Sequence, residues 1–124
     1  MSYIVYKLIH LFGLFALFVG LAGMAAHAAA GHEKSENTGY RTLLFLHGLG
    51  ALVALTGGFG LMARVGVEHG EIFPGWIWTK LLLWVVLGGL IALPYRNRAL
   101  AKYLLVALPF LGLLGAYLGN YKPF

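Results

Sequence analysis

The chain has 124 residues, of which 60% are hydrophobic and only 10% are charged, with a net charge of +5. A soluble domain carries about 25% charged residues, so this composition excludes an ordinary water-soluble globule and indicates a membrane protein. Cysteine is absent, which excludes disulfides, thiolate metal sites and cysteine-attached haem. The basic residues stand singly at the ends of apolar runs, where they anchor membrane helices, so the positive charge does not indicate nucleic-acid binding.

Four apolar runs predict four membrane-spanning helices. They cover residues 3–28, 42–63, 76–93 and 100–119, and a bilayer core about 30 Å thick is crossed by about 20 helical residues. Backbone groups in lipid must be hydrogen-bonded within their own segment, so we interpret the runs as helices. The first run is too long for a signal peptide and lacks its charged start and cleavage site, so we expect a retained helix.

The connections between these runs are short, which makes sequential helices antiparallel neighbours. The predicted fold is therefore all-α: a single integral membrane domain over residues 1–124, arranged as an up-down-up-down four-helix bundle. We expect residues 29–41 to form a polar loop and residues 94–98 a tight turn. Pro109 lies inside the fourth helix and should bend it, because proline removes one backbone hydrogen bond.

The basic residues also predict an orientation. Five of them lie at or near the first and third loops, namely Lys34, Arg41, Arg96, Arg98 and Lys102. The opposite side has Lys7, Arg64 and Lys122, with Lys80 buried nearby. Cytoplasmic loops carry an excess of lysine and arginine. We therefore expect loops 29–41 and 94–99 to be cytoplasmic and both termini outside, in a bacterial-type inner membrane.

The 18 glycines have two interpretations. Small residues let membrane helices approach closely, and the spacing of Gly115 and Gly119 fits that pattern. Alternatively, a glycine-lined face makes room for a flat ligand.

Lys80 lies several residues inside the third apolar run, too deep for a simple end anchor. An ammonium group within the bilayer costs about 2.5–3.5 kcal/mol on insertion scales unless it reaches the interface or finds a partner. It could extend past Trp76 to the interface. Alternatively it faces a partner inside the bundle, with Trp76 and Trp84 flanking it on the same helical face.

The depths of the histidines separate them into groups. His10 lies about 8 Å from the bilayer midplane, on the same side as Lys80 and at nearly the same level. His47 lies about 9 Å from the midplane on the opposite side, and His27 lies further out on that side. His32 and His69 fall in loops, where we expect them to be solvated.

A histidine embedded in a helical bundle is the usual axial ligand of a b-type haem. His10 and His47 differ by about 17 Å in depth, too far for both to bind one iron. His27 with His47 is a better pair by depth. His10 could instead bind iron alone, with Lys80 or another subunit near the sixth position. The plain alternative is that each histidine only hydrogen-bonds a neighbouring helix. A metal site from His32, Glu33 and Glu36 has weak support, because their spacing is ordinary for a loop.

Three segments resemble a known family. They are Lys7 and His10 opening the first helix with Gly20 further on, residues 75–81 (Gly-Trp-Ile-Trp-Thr-Lys-Leu), and residues 122–124 (Lys-Pro-Phe). The second segment is similar to the Gly-Trp-Leu-His-x-Lys-Leu segment of HemJ-type membrane proteins. These small four-helix proteins are linked to protoporphyrinogen oxidation and to haem b binding. The resemblance implies that His10 and Lys80 carry the function.

The layout also resembles the SirB-like family. Its members place a lysine and a histidine early in the first helix, a histidine like His47 early in the second, and a Trp-Leu-x-x-Lys pattern in the third. Their turn between the third and fourth helices is arginine-rich, as in residues 96–98.

The sequence thus predicts a haem-associated membrane redox protein resembling HemJ-type protoporphyrinogen oxidase. His10 and Lys80 are the predicted catalytic residues, and His10 is the predicted iron ligand. The wider set of predicted cofactor-binding residues adds His47, His27, Trp76 and Trp84. If the chain is an enzyme, it is a membrane oxidoreductase. The alternative is a cofactor-free structural or interaction protein, or an accessory subunit of a larger membrane complex. In either case we expect the chain to form a homo-oligomer or to be a subunit of a membrane complex.

Overall fold

The structure, a computed structural model, describes residues 2–66 and 73–124. These residues form helices and no strand. The helices are α1 (Tyr3–Ala29), α2 (Tyr40–Arg64), α3 (Gly75–Gly89), α4 (Leu93–Arg96) and α5 (Arg98–Tyr121), with 3-10 turns at Lys34–Glu36 and Leu90–Ala92. Glu68, His69 and Glu71, which the sequence assigned to the second loop, lie outside the described residues.

Four helical segments are long and apolar enough to cross a membrane, as predicted. Three of them are α1, α2 and α5, and the fourth runs from Gly75 to Arg96 through α3, the second 3-10 turn and α4. This segment has 22 residues, enough for about 33 Å of helix. The described chain is therefore an all-α bundle of four candidate spans.

The connection between the third and fourth spans is tighter than predicted. Residues 94–96 belong to α4, and Asn97 alone breaks the helix, with φ −143°. Pro94 lies at the start of α4, where the missing N–H of a proline is tolerated. The Asn97 side chain then caps α5 by accepting a hydrogen bond from the Leu100 N–H at 3.3 Å. The predicted loop therefore becomes a single-residue break between two helices.

Glycines bring α1 and α2 into backbone contact. A Cβ atom at Gly57 would lie 2.5 Å from the His10 backbone nitrogen, and one at Gly20 would lie 2.5 Å from the Leu43 carbonyl oxygen. Gly50 likewise leaves no room for a side chain, because its Cβ would lie 2.5 Å from the Leu17 backbone nitrogen. Such close approach is typical of small residues between membrane helices.

The remaining spans cover one side of the α1–α2 pair. The buried core joins Leu17, Leu21 and Ala25 of α1 to Leu87 of α3 and to Leu104 and Leu108 of α5. The third span packs mainly against α5 and less against α2. The Gly115 and Gly119 positions lie near side chains of α3, Leu83 and Lys80 respectively. The helix α5 continues through Pro109, which is exposed.

Candidate functional site

The helices α1 and α2 carry the same pattern of residues at an offset of 37. His10, Gly13, Gly20 and Gly23 of α1 correspond to His47, Gly50, Gly57 and Gly60 of α2. We did not predict this repeat from the sequence, although the shared offset between the two histidine–glycine patterns is the signal that reveals it. The contacts between the two helices follow the same offset.

The two histidines make equivalent hydrogen bonds across the helix pair. His10 Nδ1 lies 2.6 Å from the Ala54 carbonyl oxygen, and His47 Nδ1 lies 3.2 Å from the Leu17 carbonyl oxygen. Leu17 and Ala54 are themselves 37 residues apart. The pair is thus related by a local pseudo-two-fold axis that crosses the helices, the arrangement of an inverted repeat.

The repeat also fixes the separation of the two histidines along the bundle. His10 packs against Gly57, and His47 packs against Gly20. Ten residues separate His47 from Gly57 along α2, which corresponds to about 15 Å. This separation agrees with the depth difference expected from the sequence.

His47 is held by backbone on both sides of its ring. It is 3% exposed, and its Nε2 atom lies 3.2 Å from the Gly88 carbonyl oxygen of α3. A carbonyl only accepts hydrogen bonds, so a neutral ring can donate to Leu17 or to Gly88, and a doubly protonated ring to both. Because both nitrogens face carbonyls, His47 ties three helices together and presents no free nitrogen to an iron.

His27 lies in a different group at the opposite end of α1 from His10. The Tyr95 hydroxyl accepts a hydrogen bond from the Asn37 amide at 2.8 Å and lies 2.7 Å from His27 Nδ1. The His27 ring also packs on the His32 ring, with centroids 4.9 Å apart. His27 thus has side-chain partners, whereas His47 faces backbone carbonyls, so the two residues of the predicted ligand pair have different surroundings.

The weakly supported loop metal site is also not formed. His32 Nδ1 lies 3.9 Å from the Glu36 carboxylate, but the other carboxylate oxygen of Glu36 accepts the Glu33 backbone N–H at 2.7 Å. Among the described residues, no three histidine or acidic side chains come together as metal ligands would.

His10 and Lys80 lie at the same end of the bundle, close enough for their charges to interact. His10 is half-buried, and its Nδ1–H must donate to Ala54, because the carbonyl can only accept. In the neutral ring the lone pair therefore stays on Nε2. The Lys80 ammonium lies against α5, 3.0 Å from where a Cβ of Gly119 would stand.

A second ammonium group, that of Lys122, lies beside Lys80. The charges of Lys80 and Lys122 interact, and Lys122 donates to the Gly119 carbonyl at 2.8 Å. Lys122 also lies 5.4 Å from the centre of the Trp76 ring. Over the two described stretches of chain, Lys80 has no hydrogen-bond or ion-pair partner of its own. Neither ammonium group has a carboxylate partner among the described residues, and two neighbouring cations favour the binding of an anion.

The two tryptophans that flank Lys80 in sequence have different roles. Trp76 belongs to the Lys80–Lys122 group through its ring contact with Lys122. Trp84 instead donates its indole N–H to the Ala51 carbonyl at 2.9 Å and so joins α3 to α2. The two rings therefore lie in different settings, and their place at a cofactor site stays a prediction.

The last residues of the chain close this end of the bundle. The Gly75 N–H donates to the Phe124 carbonyl at 2.8 Å, and the Phe124 ring occupies the space that a side chain at position 75 would need. Residues 74–80 and 122–124, which lie far apart in the sequence, are therefore in direct contact. We call the group formed by His10, Trp76, Lys80 and Lys122 the His10–Lys80 site.

No protein family, curated protein or solved structure matches this chain. The fold and the site together define a class, a small multi-pass membrane protein with a cationic, histidine-containing site at one end of its bundle.

Proposed function

We propose that this chain is a membrane redox protein that holds a flat, anionic cofactor at the His10–Lys80 site, and that this cofactor is haem b. The proposal rests on one observation: the His10 Nδ1–H bond to Ala54 leaves an available nitrogen beside an ammonium group that has no partner in the described chain.

The hydrogen bonding of His10 fits the role of a haem ligand. Histidines that bind a metal almost always donate their other ring N–H to a carbonyl or carboxylate, which fixes the tautomer and orients the ring. His10 has this bond, whereas both nitrogens of His47 face backbone carbonyls. His10 is therefore the single histidine ligand that we assign, and His47 is excluded by its partners and by its distance of about 15 Å along the bundle.

The charges at this end fit the carboxylate groups of a porphyrin. Lys80 and Lys122 lie together and provide two ammonium groups for two propionates. Ion pairs of this kind offset the cost of keeping ammonium groups away from water. When bound, haem b supplies one-electron chemistry whose potential depends on its axial ligand and surroundings. The chain would supply the histidine ligand and the two ammonium groups that pair with the propionates.

We further propose the orientation that the basic residues favour. Lys34, Arg41 and Arg98 lie at the end of the bundle opposite the His10–Lys80 site. If that end is cytoplasmic, the site lies near the outer face of a bacterial-type inner membrane. A homo-oligomer or a larger membrane complex could then supply a sixth ligand from a neighbouring subunit.

A visible absorption spectrum of the purified protein tests the proposal. The protein is expressed with ample haem, extracted in mild detergent and checked for helical content by circular dichroism. We expect a haem spectrum in the native protein, its loss in His10→Gln and weakened haem retention in Lys80→Gln. His32→Gln, a matched change at the opposite end, should leave the spectrum unchanged. A folded but colourless native protein overturns the proposal.

A cofactor-free accessory subunit is the second candidate, favoured by the outer face of α5. A groove of about 670 Å³ lies there, and most of its lining is apolar or aromatic, including Phe110, Leu113, Tyr117 and Tyr121. If the chain is such a subunit, His10→Ala and Lys80→Ala would alter only its stability or its assembly.

A further inference from the structure

A second polar site lies at the end of the bundle opposite the His10–Lys80 site. It is a cavity of about 740 Å³ between the α1–α2 connection and the junction of α4 with α5. Its lining residues are Glu33, Lys34, Ser35, Asn37, Thr38, Tyr40, Arg41, Tyr95 and Arg98. Ligand pockets in proteins commonly have volumes of about 300–1,000 Å³. We call this the Arg41 cavity.

The Arg41 cavity carries three cations and one carboxylate. Lys34 lies 4.6 Å from the centre of the Tyr40 ring, and Arg98 donates to the Gly31 carbonyl at 3.2 Å. Arg41 has no hydrogen-bond partner in the parts of the chain that the structure describes. None of the three cations pairs with a carboxylate in those same parts. The cavity therefore has an excess of positive charge that no described acidic side chain neutralises.

The acidic residues near the cavity have other partners. Glu36 accepts the Glu33 backbone N–H and lies 3.9 Å from His32, outside the cavity lining. Glu33 is the one carboxylate in the lining, so the side chains facing the cavity keep a net positive charge. An anion that enters the cavity would meet guanidinium and ammonium groups that have no carboxylate partner among the described residues.

The wall of the cavity is held in place before any ligand arrives. Asn37 donates from its amide to the Tyr95 hydroxyl at 2.8 Å and accepts the Gly39 N–H at 3.0 Å. The Tyr95 hydroxyl in turn lies within hydrogen-bond distance of His27 Nδ1, at 2.7 Å. These bonds join the loop to α1 and α4, so the wall that Asn37 and Tyr95 form is fixed in position.

The position of the cavity points to the membrane surface as the source of the anion. Tyr40 and Arg41 are the first residues of α2, Tyr95 lies in the last turn of the third span, and Arg98 begins α5. All of these residues lie at the ends of candidate membrane spans, the level at which lipid headgroups are found. Basic pockets between helix ends are typical binding sites for anionic lipid headgroups.

We propose that the Arg41 cavity binds a phosphate group, and that an anionic phospholipid supplies it. Arg41 and Arg98 bind the phosphate oxygens, since guanidinium geometry matches phosphate and its hydrogen bonds to charged partners are strong. Lys34 adds a point charge, and the hydroxyl groups of Ser35, Thr38 and Tyr40 offer further donors. This proposal does not depend on the His10–Lys80 site.

Lipid binding to the intact, detergent-purified protein tests the proposal. Native mass spectrometry measures bound phosphatidylglycerol against phosphatidylcholine of the same acyl chains, and inorganic phosphate is added in a separate arm. We expect selective binding of phosphatidylglycerol, with affinity reduced about tenfold in Arg41→Gln and in Arg98→Gln, since a tenfold change corresponds to about 1.4 kcal/mol. Arg96→Gln is the matched control, because Arg96 lies at the same end, is exposed and does not line the cavity.

Three results decide the outcome. If inorganic phosphate binds, phosphatidylglycerol shows no selective binding, and Arg41→Gln weakens the binding of phosphate, the cavity is a phosphate site but its lipid source is overturned. Equal binding of the two lipids together with no binding of phosphate overturns the site. Equal losses in Arg41→Gln and Arg96→Gln would also overturn it, because they would assign the effect to surface charge in general. Circular dichroism of each variant verifies that the helices are retained.

Discussion

His10 and His47 occupy equivalent positions of the α1–α2 repeat, yet they have different surroundings. In each ring Nδ1 lies within hydrogen-bond distance of a carbonyl oxygen of the partner helix. Only His47 has a second carbonyl, that of Gly88, beside its other nitrogen. The third and fourth spans thus break the symmetry of the pair, because α3 closes the His47 end and brings Lys80 to the His10 end.

The depth of these residues could be predicted from the sequence, but the partners of His47 could not. A rise of about 1.5 Å per residue was enough to place His10 near Lys80 and far from His47. The carbonyls of Leu17 and Gly88 carry no side-chain signal, and their positions depend on how closely the glycines let α1 approach α2. The hydrogen bond of Trp84 to Ala51 could not be predicted either, because its acceptor is also a backbone carbonyl.

The partners of His47 predict a structural role that a substitution can measure. His47→Ala removes the interhelical hydrogen bonding of a buried ring and leaves a cavity among three helices, so we expect a loss of about 2–4 kcal/mol in the free energy of unfolding. His10→Ala removes one bond from a half-buried residue and should cost about 1 kcal/mol. Reversible unfolding in mixed detergent micelles measures both values. A larger loss for His10→Ala would contradict the assignment.

Glycine packing gives a second prediction at the level of single residues. Gly57→Ala places a methyl group against the His10 backbone and should cost about 1–3 kcal/mol, because rigid backbone must move. Gly48→Ala is the matched control on the same helix, since no neighbouring atom lies within 4 Å of its Cβ position. Alanine favours helices over glycine by up to about 1 kcal/mol, so the control should be neutral or stabilising. Equal losses in the two variants, measured by the same unfolding method, would refute the close contact.

At the scale of elements, the four membrane-spanning helices could be predicted because the length of each apolar run alone identifies them. Their ends could not, since the helices continue into polar sequence at the interface. The helix α2 begins at Tyr40, ahead of its apolar run, and the third span continues through Pro94 to Arg96. The tight turn predicted at residues 94–98 is instead mostly helical, because a helix accepts Pro94 in its first turn.

The beginning of α3 depends on the final residues of the chain. Gly75→Ala would direct a methyl group at the Phe124 ring and should lower stability by about 1 kcal/mol. Phe124→Ala removes that obstacle, so the double variant should lose less than the sum of the single losses, by about 0.5–1 kcal/mol. Unfolding of all four proteins in mixed micelles completes the cycle. Strictly additive losses would show that the two residues are not in contact.

At the scale of the whole molecule, the bundle separates two sets of cations. His10, Lys80 and Lys122 lie at one end, and Lys34, Arg41 and Arg98 lie at the other. Each set lacks a carboxylate partner for its lysines and arginines within the described residues. The two ends therefore suit two different anions, one at each surface of the membrane.

The absence of native cysteine makes the proposed orientation directly measurable. Ser2→Cys and Ser35→Cys place single thiols at exposed positions at opposite ends of the bundle. In intact bacterial spheroplasts, a membrane-impermeant maleimide should label Ser2→Cys at once and Ser35→Cys only after permeabilisation. The unmodified protein, which has no thiol, measures the background. The reverse labelling pattern would place the Arg41 cavity outside.

The most direct test of the His10–Lys80 site is rescue of a His10→Gly variant by free imidazole. If His10 binds haem iron, this variant loses its visible haem spectrum, and added imidazole restores it by entering the space that the ring leaves. Circular dichroism before and after the addition verifies that the helices are unchanged. A native haem spectrum that persists in His10→Gly without imidazole, or a folded native protein that never acquires one, would contradict the account.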